Sequence, residues 1–376
     1  MSTSAISGAR ILADGQWLDG HALIVENGRI AAIVPVDRVS VVNDHRAGGL
    51  LVPGFIDTQV NGGGGLLFND QPTCAGVAAI AAAHRAFGTT SLFPTLISDD
   101  LDVIARGIAA VDEAIAAGVP GVTGIHIEGP FLNPVKKGIH DVTKIRALDI
   151  AAIELLASLR NGKTIVTLAP ECAAPGAIAE LTARGITVAA GHSVASYEAM
   201  ERAVAEGMTG VTHLYNAMSQ LNGREPGVVG AAIDLGLFSG IIVDGHHVHP
   251  AALRAAFRAK GPAELMLVTD AMPSVGGPSD GFALGDVWIS GETGALRGPD
   301  GTLAGSKLDM GHAVRRAVVT MNVDIATASR MASATPAEFA GLSKDRGTLA
   351  PGQRADIVHL DDALTPQATW IAGERT

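Results

Sequence analysis

Between about residues 50 and 270 the chain repeats one pattern, in which a short apolar, β-branched run ends in polar residues and an alanine-rich stretch with helical spacing follows. Eight such runs occur, at 51–59, 89–95, 122–128, 164–170, 186–192, 208–213, 241–244 and 265–270. The stretches between them, such as 75–87 and 102–117, predict helices. Because parallel strands need helical crossovers and eight of them can close a sheet, the pattern predicts an α/β fold, a (β/α)8 TIM-like barrel. An open, doubly wound sheet shows the same alternation and remains the alternative.

The two chain ends have a different, β-and-turn character. Residues 1–49 contain short alternating runs, with an Asn-Gly pair at 27–28 that is typical of a hairpin turn. Residues 346–376 alternate in the same way. We therefore predict a small β-sandwich built from both ends, 1–49 and 346–376, beside a barrel at 50–345.

Composition and charge narrow the function classes. With 47% apolar and 17% charged residues, the chain can bury a large core, which excludes a disordered protein. The 27 Lys and Arg against 38 Asp and Glu give a net charge of −11, which disfavours binding to nucleic acid or to an anionic membrane. Two cysteines, Cys74 and Cys172, are too few for a disulfide framework or a cysteine zinc cluster. No basic leader and no apolar run of membrane-spanning length is found, so we expect a cytoplasmic protein.

Polar residues that can bind a metal or transfer a proton stand at the ends of several predicted strands. They are Gln59, Asn61, His126, Glu128, His192, His213, Asp244, His246, His247, His249 and Asp270. In a parallel barrel the chemistry collects at the carboxyl ends of the strands. A single histidine there is usually a core residue, but several at the same end predict a metal site.

Glu128, His192 and His213 together offer two nitrogens and one oxygen, a ligand set that suits zinc and leaves a fourth position open for water or substrate. Such a site suits hydrolysis, because a bound metal lowers the pKa of water and polarises a carbonyl group. Asp270 can take the proton from the water and hand it to a leaving amine. The alternative for Asp270 is the N-cap of the following helix.

Seven local motifs carry more specificity than the strand ends do. They are HIEGPFLNPVKKGIH (126–140), AGHSVASY (190–197), THLYNAM (212–218), GREPGVVGA (223–231), VDGHHVH (243–249), LVTDA (267–271) and TLAGS (302–306). In this combination and order, over essentially the whole chain, they resemble the N-acetylglucosamine-6-phosphate deacetylases of the amidohydrolase superfamily.

The resemblance implies a role for each matching residue. It implies that Glu128, His192 and His213 bind the catalytic metal, that Asp270 is the acid/base, and that His140 polarises the acetyl carbonyl. The residues it implies for the sugar phosphate are Asn216, Ala217, Arg224 and His247 for the phosphate, and Ile139, Leu303, Ala304 and Gly305 for the sugar pocket. In such relatives the arginine comes from the neighbouring subunit, which implies a homodimer whose Arg224 reaches the neighbouring site.

One departure from the wider superfamily changes the expected metal content. Many amidohydrolases end strand one in HxH, which holds a second metal, whereas this chain has Gln59 and Asn61 there. Amides are poor ligands for zinc. We therefore expect one zinc per subunit, replaceable by iron(II) or cobalt(II), with Gln59 and Asn61 contributing at most hydrogen bonds.

The sequence thus predicts deacetylation of N-acetyl-D-glucosamine 6-phosphate to D-glucosamine 6-phosphate and acetate, a step of amino-sugar catabolism. Two alternatives remain open. One is another amidohydrolase, either an N-acetylgalactosamine-6-phosphate deacetylase or a cyclic amidase. The other is a barrel that binds a sugar phosphate without catalysis.

Overall fold

The computed structural model describes residues 3–46, 48–292 and 294–376. The N-terminal part forms seven strands: β1 (Thr3–Ser7), β2 (Arg10–Ala13), β3 (Gln16–Leu18), β4 (His21–Glu26), β5 (Arg29–Pro35), β6 (Val42–His45) and β7 (Leu50–Pro53). Four of them make a sheet in the order β5-β4-β1-β6. Asn27 and Gly28, with φ of 50° and 77°, join β4 to β5. Both therefore adopt the left-handed backbone of a tight hairpin turn, as predicted.

The eight barrel strands form a parallel sheet whose spatial order follows the sequence. The strands of this central region are β8 (Phe55–Val60), the short pair β9 (Gly62–Gly63) and β10 (Leu66–Leu67), β11 (Thr89–Ile97), β12 (Gly124–Glu128), β13 (Lys163–Leu168), β14 (Thr187–Ala190), β15 (Gly210–Val211), β16 (Phe238–Ile241), β17 (Leu265–Leu267), and the hairpin β18 (Phe282–Leu284) and β19 (Val287–Ile289). The barrel consists of β8 and β11 to β17. A parallel bridge between Val60 and Ala271 joins its two edges. The (β/α)8 barrel is confirmed, and the open sheet is excluded.

Two of the predicted runs do not coincide with one strand. The run 51–59 covers both β7, which pairs with β2 and β20 of an end sheet, and β8 of the barrel. The run 241–244 begins at the last residue of β16, because Ser239 and Gly240 interrupt its apolar pattern. Gly240 packs against Val268 and the backbone nitrogen of His213, so a small residue is needed where these strands approach each other.

Ten α-helices cross between the strands or pack on the barrel: α1 (Cys74–Arg85), α2 (Leu101–Ala116), α3 (Ile150–Leu156), α4 (Ala177–Ala183), α5 (Tyr197–Ala205), α6 (Gly227–Asp234), α7 (Pro250–Lys260), α8 (Met310–Arg316), α9 (Ile325–Ala332) and α10 (Ala334–Phe339). The first two confirm the helices predicted at 75–87 and 102–117. Phe339 joins Ile56, Phe93, Ile165 and Met266 in an apolar cluster inside the barrel. This cluster fills the amino-terminal end of the barrel, so polar side chains collect at the other end.

The C-terminal strands β20 (Ile357–Leu360), β21 (Pro366–Ile371) and β22 (Glu374–Arg375) continue the second end sheet, in the order β22-β21-β20-β7-β2-β3. Residues from both ends, including Ile11, Leu23, Ile357 and Trp370, share one apolar core. The β-sandwich built from both ends is therefore present. The domain bounds remain a prediction, although the pairing of β7 assigns 50–53 to the end sheet. Among the helices of the described ranges, none has both the length and the apolar character needed to cross a membrane.

Candidate active site

The carboxyl ends of the barrel strands surround a cavity of about 480 Å³. Glu128 is the last residue of β12, while His192, His213 and Asp270 follow β14, β15 and β17. All four residues are buried and line this cavity. Side chains from four separate parts of the sequence therefore meet at one end of the barrel.

The carboxylate of Glu128 lies against both imidazoles. Glu128 Oε1 is 2.8 Å from His213 Nε2 and 3.3 Å from His192 Nε2, and the two Nε2 atoms are 3.1 Å apart. Glu128, His192 and His140 also have one ligand atom each within 4.8 Å of one another. We place the candidate metal centre at Glu128, His192 and His213, because the distances among their ligand atoms, 2.8 to 3.3 Å, are shorter still.

The backbone is strained at three of these residues. His192, His213 and Asp270 have φ of 49°, 35° and 52°, which is the left-handed region that residues other than glycine rarely adopt. Each such residue costs on the order of 1 kcal/mol, and in proteins they cluster at functional sites. The turns after β14, β15 and β17 are therefore less stable locally, and their backbone conformation directs these side chains into the cavity.

Hydrogen bonding around the imidazoles shows that the three groups suit a cation. His192 Nδ1 is 2.7 Å from the carbonyl oxygen of Lys136, which can only accept, so Nδ1 carries the proton and donates it. In neutral His192 the Nε2 lone pair then faces Glu128 and His213. His213 Nδ1 has no hydrogen-bond partner among the described residues. A divalent ion would bind to the three atoms that do converge, which are Glu128 Oε1 and the Nε2 atoms of His192 and His213, and this donor set suits zinc.

The contacts between the three residues shift the pKa values of Glu128 and His213. Burial alone raises the pKa of Glu128, but the close contacts with the His192 and His213 imidazoles, and their positive charge when they are protonated, outweigh burial and hold the pKa well below its usual value. Burial likewise lowers the pKa of His213, but the hydrogen bond to Glu128 and its charge raise it overall. Glu128 is thus a carboxylate at neutral pH, which is the form that binds a metal.

Gln59 and Asn61 donate hydrogen bonds to the carboxylates of the site. Gln59 Nε2 donates to Glu128 Oε2 at 3.1 Å and to Asp270 Oδ1 at 3.2 Å. Asn61 Nδ2 donates to the same Asp270 oxygen at 2.6 Å. Both amide N–H groups therefore point at these carboxylates, whereas Asn61 Oδ1 is buried and has no hydrogen-bond partner among the described residues. Burial and the charge of Glu128 raise the pKa of Asp270.

His140 also lines the cavity, although it lies in the loop after β12 and not at the end of a strand. Its residue is 2% exposed, and its ring centroid lies 4.4 Å from that of His192. Burial and the nearby His192 lower the pKa of His140 to about 3. The ring contacts Ser98, a residue that the sequence analysis missed.

Comparison with known proteins agrees with this geometry. The family model described as "Amidohydrolase family" matches residues 50–376. The chain belongs to the amidohydrolase family. Two similar relatives are deacetylases: an N-acetylgalactosamine-6-phosphate deacetylase from Shewanella sp. (strain ANA-3), 44% identical over 98% of this chain and 94% of that protein, and the N-acetylglucosamine-6-phosphate deacetylase of Homo sapiens, 38% identical over 98% and 93%.

A solved structure extends the comparison. The N-acetyl-D-glucosamine-6-phosphate deacetylase of Mycobacterium smegmatis, in a variant that binds N-acetyl-D-glucosamine 6-phosphate, superimposes with a TM-score of 0.92 at 32% identity. The match covers 100% of this amidohydrolase and 99% of that chain.

Most of the residues that the sequence assigns to substrate binding line the same cavity. They are Ile139, Asn216, Ala217, His247, Leu303 and Gly305. Ala304 is fully buried in the apolar cluster behind the wall and is outside the lining. Arg224 is exposed on the loop before α6 and is also outside the lining in the described part of this chain. The structure therefore brings the sugar-pocket residues to the site but leaves the arginine away from it.

The histidine-rich segment 243–249 contributes only one residue to this cavity. His247 Nδ1 donates to Asp244 Oδ2 at 2.7 Å, which orients the ring. Burial opposes ionisation of Asp244, but the hydrogen bonds and charge of His247 lower its pKa to about 2. His249 instead caps α7, where Nδ1 accepts from the backbone N–H of Ala251. His126 lies deeper in the barrel, bonded to Thr167 Oγ1 at 2.8 Å.

Sequence reasoning missed two cationic residues that line the cavity, Lys136 and Arg297. It also missed Glu171, which accepts from Asn133 Nδ2, Ser193 Oγ and the backbone N–H of Val194. Glu171 therefore ties together the loops after β12 and β14, next to His192. The sequence could have indicated Lys136, because it lies in the KKG segment of the motif that ends at His140. Arg297 and Glu171 lie outside the seven motifs, so no sequence pattern pointed to them.

Below the candidate metal centre, Asp57 is fully buried and hydrogen-bonded to Thr269, the residue before Asp270. Thr269 Oγ1 and its backbone N–H both donate to the Asp57 carboxyl group, at 2.5 Å and 3.3 Å. Burial, opposed by the hydrogen bonds from Thr269 and Gln59, raises the pKa of Asp57 from 3.8 to about 7.

Replacing Asp57 with Asn should remove a pH dependence of stability. Between pH of about 4 and 7 the folded chain keeps a proton that the unfolded chain has released, so the free energy of unfolding falls as pH rises through this window and levels off above it. In urea unfolding at several pH values, the wild type should lose more free energy of unfolding than Asp57→Asn. The exposed Asp362→Asn variant should keep the wild-type slope, and equal slopes for all three would contradict the raised pKa.

Proposed function

We propose that this amidohydrolase removes the acetyl group from an N-acetylhexosamine 6-phosphate, with N-acetyl-D-glucosamine 6-phosphate as the substrate and D-glucosamine 6-phosphate and acetate as the products, in amino-sugar catabolism. The observation that carries the proposal is the convergence of Glu128, His192 and His213 on one point of a cavity that Asp270 also lines. N-acetyl-D-galactosamine 6-phosphate is the second candidate substrate, because the relative that is 44% identical is named for it.

The chain's own residues divide the chemistry among them. A divalent ion bound by Glu128, His192 and His213, which we propose to be zinc with iron(II) or cobalt(II) as substitutes, supplies Lewis acidity that lowers the pKa of water and polarises a carbonyl group. Asp270 accepts a proton from the attacking water and returns it to the departing nitrogen. His140 donates a hydrogen bond to the acetyl oxygen as negative charge develops there.

The hydrogen bonds around Asp270 support this role. Gln59 and Asn61 both donate to Oδ1, and this fixes the carboxyl group while leaving its other oxygen free of these two bonds. Its raised pKa suits a group that must hold a proton between two steps. The N-cap alternative is not supported, because the described residues that follow Asp270 begin no helix before α8.

We further propose that the phosphate binds at Asn216, Ala217 and His247 and that Ile139, Leu303, Ala304 and Gly305 shape the sugar pocket. The lining of the cavity supports all of these except Ala304, which acts from behind the wall. Arg224 would complete the phosphate site from the second subunit of a homodimer. Its exposure, away from the cavity of its own chain, supports this arrangement.

Metal analysis should find one tightly bound divalent ion per chain. Glu128→Gln keeps the shape of the side chain but removes the charge, so the purified variant should lose most of its metal while the wild type retains it. Glu154→Gln, a change of an exposed glutamate on α3, is the matched control and should keep full occupancy. Two tightly bound ions per wild-type chain would contradict the single-metal site.

Acetate release from both N-acetylhexosamine 6-phosphates tests the reaction. The wild type should release acetate in a chelator-sensitive manner, and Asp270→Asn should lower kcat by about a thousandfold or more while keeping its metal. Asp362→Asn should retain wild-type activity. A wild type inert towards the whole panel, or an active Asp270→Asn, would overturn the proposal.

Subunit mixing tests the position of Arg224. Arg224→Ala should raise KM for the phosphorylated sugar with a smaller change in kcat. The Arg224→Ala and Asp270→Asn chains are then co-expressed. If Arg224 acts across the interface, each mixed dimer has one intact site out of two. Because about half of the dimers are mixed, kcat/KM of the preparation should recover to about a quarter of the wild-type value. If Arg224 served its own subunit, the mixture would show no more than the average of the two variants.

A further inference from the structure

The ring of His140 stands between two cavities. It lines the active-site cavity on one side and, on the other, a neighbouring cavity of about 740 Å³ that is also lined by Ser98. Ser98 follows the last residue of β11 and is 5% exposed. The second barrel strand, for which the sequence predicts no functional residue, thus reaches the site through Ser98.

Both polar groups of Ser98 contact the same nitrogen of His140. The backbone nitrogen of Ser98 lies 3.1 Å from His140 Nδ1, and Ser98 Oγ lies 2.8 Å from it. A backbone N–H can only donate, so Nδ1 must be the acceptor and carries no proton. The hydroxyl group then has to donate as well. In a neutral imidazole with a bare Nδ1, the proton is on Nε2.

We propose that Ser98 is a positioning residue that holds His140 as the neutral Nε2–H tautomer and directs this N–H into the active-site cavity. The use of that N–H in catalysis rests on the function proposed above, whereas the tautomer itself follows from the contacts with Ser98. With the opposite tautomer, a lone pair on Nε2 would face the acetyl oxygen and repel the negative charge that develops there.

The neighbouring strand leaves room for the hydroxyl group of Ser98. The pairing of β11 with β12 places Ile97 opposite Glu128, so Ser98 lies next to Gly129. A Cβ atom added to Gly129 would stand 2.3 Å from Ser98 Oγ. The glycine that follows the metal-site glutamate therefore leaves the space in which the hydroxyl group approaches His140.

The contacts with Ser98 also keep the imidazole neutral. Because Nδ1 accepts from the backbone N–H and the hydroxyl group of Ser98, it carries no proton, and an imidazole with a bare Nδ1 cannot be the imidazolium cation. The Nε2–H group of neutral His140 can donate to the acetyl oxygen throughout the reaction, and this hydrogen bond becomes stronger as the oxygen gains negative charge.

Nitrogen NMR of the whole protein with 15N-labelled histidine tests the tautomer directly. The His140 signals are assigned by their absence in His140→Gln. We expect Nε2 to resonate as the protonated, pyrrole-like nitrogen and Nδ1 as the bare, pyridine-like nitrogen, both with and without added zinc. A protonated Nδ1 in the wild type would overturn the proposal.

Kinetics test the hydroxyl group separately. Ser98→Ala keeps the backbone donor but removes the second hydrogen bond, so kcat should fall about threefold to tenfold while KM stays within about twofold. Ser98→Thr restores the hydroxyl group and should recover kcat. Ser158→Ala, a change of an exposed serine, is the matched control and should behave as the wild type. Wild-type kinetics in Ser98→Ala would refute the positioning role.

The two measurements separate failure of this proposal from failure of the proposed function. If no substrate of the panel releases acetate, the reaction is wrong, yet the NMR spectrum still decides the tautomer. If Ser98→Ala does not fold, the wild-type spectrum decides the tautomer, and a loss of kcat in Ser98→Thr despite native folding would contradict the positioning role of the hydroxyl group.

Discussion

The approach of the Glu128 carboxylate to the imidazoles of His192 and His213 is the constraint on which the upper part of the barrel depends. A buried carboxylate without partners costs several kcal/mol, and here the partners come from the ends of two other strands. The strained backbone at His192 and His213 adds to the cost, so the surrounding loops must be held firmly. Glu171 ties the loop after β12 to the loop after β14, and the carbonyl group of Lys136 orients His192.

The layer beneath the metal centre is kept close to neutral. Burial raises the pKa of Asp57 to about 7, so this carboxyl group is protonated below that pH and is only partly ionised at neutral pH. Burial lowers the pKa of His126 to about 4, so this imidazole is uncharged at neutral pH. Glu128 is then the group that holds its charge, because hydrogen bonds lower its pKa. The negative charge is thereby concentrated where a cation would bind, while the residues below it cost little electrostatic energy.

The sequence predicted the barrel because parallel strands and crossover helices leave alternating patterns of different period. It also predicted the convergence of Glu128, His192, His213 and Asp270, because strand ends of one barrel share one face. It could not predict Ser98 or Glu171, because a polar residue next to a strand has no local pattern that tells which distant side chain it will contact. The run at 51–59 failed as one strand for a similar reason: β7 and β8 are both apolar, and only their partners assign them to different sheets.

The position of Arg224 bears on how an acidic chain can attract an anionic substrate. With a net charge of −11, the chain needs cationic groups concentrated at the site. Within the described residues, Lys136 and Arg297 are the Lys and Arg side chains that line the cavity. Arg224 stands outside it, on the loop that also carries Leu221, which is 55% exposed. A loop that exposes both a leucine and an arginine has the composition of a protein interface, where a leucine loses contact with water and an arginine can find a polar partner. In the homodimer proposed above, Leu221 would be covered by the second subunit and Arg224 would add positive charge to the cavity of that subunit, where Lys136 and Arg297 are the cationic residues of its own chain.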